Sequence, residues 1–188
     1  MGRWQPDAQR RLREAAIALY SERGMDQTTV AEIAARAGVT ERTFFRYFAD
    51  KREVLFGGTE ALLSAALEAV RSAPPEATAI ETVGAAIEAA AATLPEQEHA
   101  RSRRAVIAAN PGLQERELLK LAGLTTAMAD ALRKRGTPEP TAKLGAECGL
   151  TIFRVAFSRW VDGTDGDDMA AIVDSVVADL RGLTAAAR

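Results

Sequence analysis

Apolar residues along this 188-residue chain recur at helical spacing from end to end. Val30, Ile33, Ala34 and Ala37 fall at i, i+3, i+4 and i+7, which places them on one face of a short helix. Near the C-terminus, Met169, Ile172, Val173, Val176, Val177, Leu180 and Leu183 form a longer stripe of the same kind. Glycine and proline punctuate the pattern at Gly24, Gly38, Pro74-Pro75, Pro95, Pro111, Gly136 with Pro138 and Pro140, and the Gly163–Gly166 turn. Together these signals predict nine helices, near 7–23, 29–36, 40–47, 51–72, 76–93, 96–109, 112–135, 139–162 and 167–185. No strand-like alternation of useful length appears. The predicted class is all-α.

Composition supports that class: the chain has 39 alanines, and alanine is the best intrinsic helix former. It also shows an asymmetry. The first 56 residues carry seven of the ten aromatics and ten Lys/Arg against eight Asp/Glu, within a chain of net charge −2. A short, mildly basic module is therefore expected ahead of an acidic, alanine-rich body, with domains at 1–50 and 51–188. A single cysteine (Cys148) rules out an internal disulfide, and a single histidine (His99) rules out a two-histidine metal site. No run of 18 apolar residues and no secretory signal is present, so no membrane partner and a cytoplasmic location are expected.

Residues 28–40 hold the sharpest local signal. Thr29 followed by Glu32 is a capping box that satisfies orphan donors at a helix start. Gly38 supplies the positive-φ stop, Val39 fills the corner, and Thr40 caps the next helix, whose Phe44 and Phe48 face inward at i, i+4. Two short helices joined in this way make a helix-turn-helix. The N-terminal turn of the second helix, Thr40, Glu41, Arg42 and Thr43, is the part that meets base edges in a major groove. Arg42 can donate a bidentate pair to guanine, and Thr43 can bond a base or touch a thymine methyl. Phe45, Arg46 and Tyr47 lie where phosphate contacts are expected, and Lys51 opens the next helix as a phosphate site. Arg10, Arg11 and Arg13 would add cations, while Arg3 and Trp4 make either a minor-groove arm or a frayed terminus.

The run from Thr28 through Ile33-Ala34, Ala37-Gly38-Val39-Thr40, Thr43-Phe44-Phe45, Tyr47-Phe48 and Lys51 to Val54-Leu55 resembles the N-terminal signature of the tetracycline-repressor (TetR/AcrR) family. The match spans roughly residues 10–56. The resemblance implies a homodimeric transcriptional regulator, usually a repressor. Its N-terminal three-helix domain would bind a palindromic double-stranded DNA operator, and its C-terminal helical domain would bind a small-molecule effector that releases the DNA. Carried over by position, Thr28 and Thr29 would contact phosphate, Thr40, Arg42 and Thr43 would face bases, and Phe45, Tyr47 and Lys51 would hold the backbone. The family often has tyrosine where this chain has Phe45, which exchanges a phosphate hydrogen bond for an apolar contact.

The last two helices are expected to dimerise over about 140–185. Ile152, Ala156 and Trp160 of the penultimate helix and Met169, Ile172, Val173, Val176, Val177 and Leu180 of the last are the interface candidates. The resemblance implies that these helices form a four-helix bundle with the twin. Candidate effector-lining residues are Leu63, Leu67, Ile87, Val106, Leu124, Met128, Leu132, Ile152 and Phe153, with Glu88, Arg104, Asn110 and Cys148 as polar anchors. Beyond residue 56 the aromatics number only Phe153, Phe157 and Trp160, which favours a small or aliphatic effector.

No cofactor is implied. His99 sits on a charged helix start, Cys148 reads as a small buried hydrophobe, and no P-loop, dinucleotide turn or HExxH run occurs. The cluster Asp162, Asp165, Asp167 and Asp168 lacks a closing glutamate for calcium and reads as a turn. An enzyme is not expected. The alternatives are a helical protein-interaction module and a DNA-binding regulator that takes no ligand.

Overall fold

A computed structural model describes residues 8–185, so Arg3 and Trp4 lie outside the described residues. The helices are α1 (Ala8–Arg23), α2 (Val30–Arg36), α3 (Glu41–Tyr47), α4 (Thr59–Ser72), α5 (Ala79–Ala91), α6 (Gln97–Ala108), α7 (Pro111–Lys134), α8 (Glu139–Asp162) and α9 (Met169–Ala185). They follow the sequence pattern to within a few residues, with one exception. The helix expected from residue 51 begins only at Thr59. Ahead of it, Asp50 Oδ1 accepts from the amides of Arg52 and Glu53 at 2.8 and 2.7 Å and starts a single 3-10 turn, Glu53–Phe56. Gly57 then passes so close to Phe48 that an added Cβ would lie 2.7 Å from its ring.

The chain forms two compact units, and they do not divide at residue 50. The first takes in the chain up to Gly58 together with Glu98–Glu117; the second takes in Thr59–Gln97 and the chain from Leu118 onward. Burial explains why Glu98–Glu117 belongs to the first unit. Val106, Ile107 and Leu113 share one apolar cluster with Leu12, Tyr20, Ile33, Phe44 and Phe56. Polar clamps reinforce it: Arg103 Nε donates to Leu55 O at 2.8 Å, and Arg116 Nη1 reaches the carboxylates of Asp50 and Glu53, both at 3.1 Å. The N-terminal helices and Glu98–Glu117 are one body.

In the second unit α5 packs against α4, α8 and α9. Ala86 and Ala90 are fully buried there, and their small side chains allow the helices to approach closely. Arg135 closes the end of α4 by donating to the carbonyls of Val70, Ala73 and Pro74 at 3.0, 2.7 and 2.8 Å. The acidic run after α8 is the expected turn. Thr164 donates its amide and hydroxyl to Asp167, and no metal-holding cluster occurs among the described residues.

Candidate nucleic-acid interface and effector cavity

In the first unit the capping box forms as expected: the amide and hydroxyl of Thr29 donate to Glu32 Oε2 at 2.8 and 2.7 Å, and the Glu32 amide donates back to Thr29 Oγ1. Gly38 lies at φ +68°, with its amide on Ala35 O and the Val39 amide on Ala34 O, which is a Schellman stop. Thr40 caps α3 by accepting from the Thr43 amide, and the two hydroxyls lie 3.1 Å apart. Phe44 and Phe48 are buried, so α3 is seated by its inner face.

Thr40, Glu41, Arg42, Phe45, Arg46 and Tyr47 are exposed along α3 and its cap, and Thr43 is half-buried among them. Phe45 leaves 55% of its surface in solvent, an apolar exposure that the core does not require. Arg42 makes no hydrogen bond or ion pair with a described residue. Arg46 donates to the Tyr47 hydroxyl at 3.0 Å, and its guanidinium lies 4.8 Å from the ring centre.

Two expected phosphate ligands have hydrogen-bond partners within the chain. Thr28 is fully buried and donates its hydroxyl to Gly24 O at 2.9 Å, so its side chain cannot meet a phosphate. Lys51 does not project from a helix start. Its ammonium donates to the carbonyls of Met25, Thr28 and Asp26 at 2.9, 3.0 and 3.4 Å, tying down the α1–α2 connection. Its own carbonyl accepts from the Tyr20 hydroxyl at 2.5 Å, and burial, with Asp50 adding to it, pushes that phenol well up from its ordinary value. Of the helix α1 cations, Arg11 donates to Ala37 O at 2.6 Å and Arg10 pairs with Glu14.

The second unit holds a small apolar cavity of about 40 Å³. Leu63, Ile87, Leu124, Met128 and Phe153 line it as expected, and Leu62, Leu121, Gly149 and Leu150 line it without having been expected. Other candidates lie elsewhere. Val106 is core of the first unit, Asn110 donates to Val106 O, and Arg104 also belongs to that unit. Ile152 and Leu132 are buried outside the cavity lining, as Leu67, Cys148 and Glu88 are outside it while half-buried. Burial, and then the neighbouring Asp174 carboxylate, raises the Glu88 carboxyl above its ordinary value. Nothing in one helix's periodicity reveals which residues of four different helices will face one void.

The interface stripe also needs correcting. Ile152, Ala156, Trp160, Met169, Val173, Val176 and Val177 are buried within the single chain, and only Ile172 and Leu180 are half-exposed. Periodicity marks the most apolar face of a helix, and its own unit claims that face first. The faces of α8 and α9 left to solvent carry Leu144, Thr151 and Val155, and Ala171, Ser175 and Ala178.

The family model for bacterial regulatory proteins of the tetR family matches residues 12–57, and the MftR C-terminal domain model matches residues 77–184. The chain is 26% identical over 162 residues to the Mycobacterium tuberculosis regulator MftR, whose name assigns it to mycofactocin biosynthesis; the match covers 85% of this chain and 81% of that one. It is 33% identical over 58 residues to the HTH-type transcriptional regulator YvdT of Bacillus subtilis, which is 31% of this chain and under a third (30%) of that regulator. Among solved structures, the Bacillus subtilis transcriptional regulator FadR in complex with stearoyl-CoA superposes with a TM-score of 0.60 at 21% identity, covering 91% of this chain and 96% of that one.

Proposed function

The chain belongs to the tetR family of bacterial regulatory proteins, and on that premise we propose that it is a homodimeric repressor that an effector releases from a palindromic operator. It is a DNA-binding regulator and not an enzyme. The observation that carries the reading is the outer face of α3, where an unpaired Arg42 stands beside Thr40 and Thr43 on a helix anchored by Phe44 and Phe48. In this reading Arg42 and Thr43 meet base edges, with Thr40 and Glu41 beside them, and Thr29, Phe45, Arg46 and Tyr47 hold the backbone.

A three-helix reader has few contacts, so two copies are needed to read two half-sites about 34–36 Å apart. We assign the contact between copies to the solvent faces of α8 and α9 around Thr151, Val155, Ser175 and Ala178, in place of the buried stripe. The effector is assigned to the apolar cavity of the second unit, and the stearoyl-CoA held by the FadR relative supports an aliphatic ligand. The protein acts in the cytoplasm on this reading, and no helix among the described residues is long and apolar enough to cross a membrane.

Sequencing the genomic fragments retained by the purified protein tests this. One palindrome should be enriched, its affinity should fall steeply with salt, and Arg42→Ala should weaken it by about 1–3 kcal/mol with relaxed preference at one base position. Retention of fragments without a shared palindrome, or binding indifferent to salt and to Arg42→Ala, would refute the reading.

A further inference from the structure

The apolar cavity of the second unit does not end at a closed wall. Leu121, Thr125 and Leu150 line it on one side, and the same three residues line an open groove of about 450 Å³ between α7 and α8. Cavity and groove are adjoining compartments of different character: the first has an apolar lining, and the second is bordered by charges.

Those charges are graded along the groove. At the end near the α7–α8 turn, Arg133 is spent on Glu139 at 2.6 Å and on Asp130. Further along α8, Lys143 and Glu147 are one turn apart and of opposite sign, so their fields largely cancel at a distance. Arg154 lies eleven residues beyond Lys143, about 16 Å along the helix axis and on the same face. It follows Leu150 by one turn and comes directly after Phe153 of the cavity wall. The groove residues that α7 supplies closest to this wall, Leu118, Leu121 and Ala122, are uncharged, and Leu118 is 60% exposed. Arg154 is exposed and makes no hydrogen bond or ion pair with a described residue. An unspent guanidinium thus stands at the junction of an apolar cavity and an apolar groove end.

From this juxtaposition we infer that the effector is an anionic amphiphile, with its aliphatic tail in the cavity and its acidic head on Arg154. The inference rests on the effector-responsive reading above and specifies its ligand class. The flexible Met128 and the leucines around the cavity let a chain enlarge a void that at rest holds little more than a methyl group. Guanidinium geometry suits a carboxylate or phosphate, which it can meet with two parallel hydrogen bonds. A neutral tail of the same length gains only the apolar part of that binding.

Calorimetric titration of the full chain with dodecanoate, 1-dodecanol and dodecylammonium tests this. Dodecanoate should bind about tenfold more tightly than dodecanol, and added salt should erode the difference. Arg154→Gln should abolish the difference by weakening dodecanoate alone, Arg154→Lys should retain much of it, and Arg154→Glu should transfer the preference to dodecylammonium. Because Arg154 is exposed, these changes leave the core intact. Equal affinity for the acid and the alcohol, a preference that survives Arg154→Gln, or no binding of any probe would overturn the inference. Retention of genomic DNA by the same preparation separates the two claims. A chain that holds its operator but shows no acid preference refutes the ligand class alone, whereas a chain that holds no DNA refutes the regulator reading.

Discussion

Replacing Lys51 with methionine separates two roles for one residue. The methionine keeps an apolar stem of similar length and removes the ammonium, so three backbone carbonyls lose their donor. Two of those bonds are short, to Met25 O at 2.9 Å and Thr28 O at 3.0 Å, while the third, to Asp26 O at 3.4 Å, contributes little. A hydrogen bond to a charged donor contributes about 1.5–3 kcal/mol when buried, and half-exposure of Lys51 lets water replace part of that. About 1 kcal/mol for each short bond gives a loss of about 2 kcal/mol. In a chain of this size that corresponds to a fall in Tm of about 4–8 °C. Thermal melts followed by circular dichroism read the first quantity, and operator titrations over a range of salt read the second. The loop-tie role predicts the lowered Tm with little change in the slope of log K against log salt. A phosphate-ligand role predicts an unchanged Tm and a slope reduced by about 0.9 for each subunit. An unaltered melt with the smaller slope would refute the assignment of Lys51 to the α1–α2 connection.

Three further outcomes follow from the same structure. Gly149→Ala places a Cβ 2.8 Å from Val83 Cγ1, so despite its better helix propensity it should lower stability by about 1–3 kcal/mol in denaturant titrations. For Asp50, burial pushes the carboxyl up, but the Glu53 and Arg52 amides and the Arg116 guanidinium outweigh it and leave it below the ordinary 3.8. Its contribution is therefore complete above pH 3.8 and lost as pH falls through the lowered value, and acid melts of Asp50→Asn should lack that component. Glu88 carries the opposite sign: raised from 4.5 by burial and by Asp174, its ionisation weakens the fold as pH rises through the raised value. Glu88→Gln should accordingly raise Tm at neutral pH, with the advantage fading in acid; a loss at neutral pH would contradict the repulsion.

The helix-turn-helix was legible because everything that makes it is local. Thr29 with Glu32, Gly38 at positive φ, and Phe44 with Phe48 act over a turn or two, so adjacent residues specify them. The exposed row from Thr40 to Tyr47 follows from the same periodicity, since fixing the inner face fixes the outer one. The apolar cavity was legible only in part. Apolar candidates such as Leu63 and Phe153 line it, but Leu121 and Leu150 depend on how separate helices meet.

By itself, then, the sequence determined an all-α chain with a DNA reader at its front, because helix periodicity, caps and stops are short-range properties. Tertiary structure decided what distant segments do to one another. It placed Val106, Ile107 and Leu113 in the reader's core, tied the Lys51 ammonium to carbonyls of the α1–α2 connection and buried Thr28 against Gly24 O. It also claimed the α8 and α9 stripe for the interior. The physical reason is that burial and hydrogen-bond satisfaction are settled between surfaces far apart in the chain, and an apolar face or a cation carries no local mark of which partner will take it.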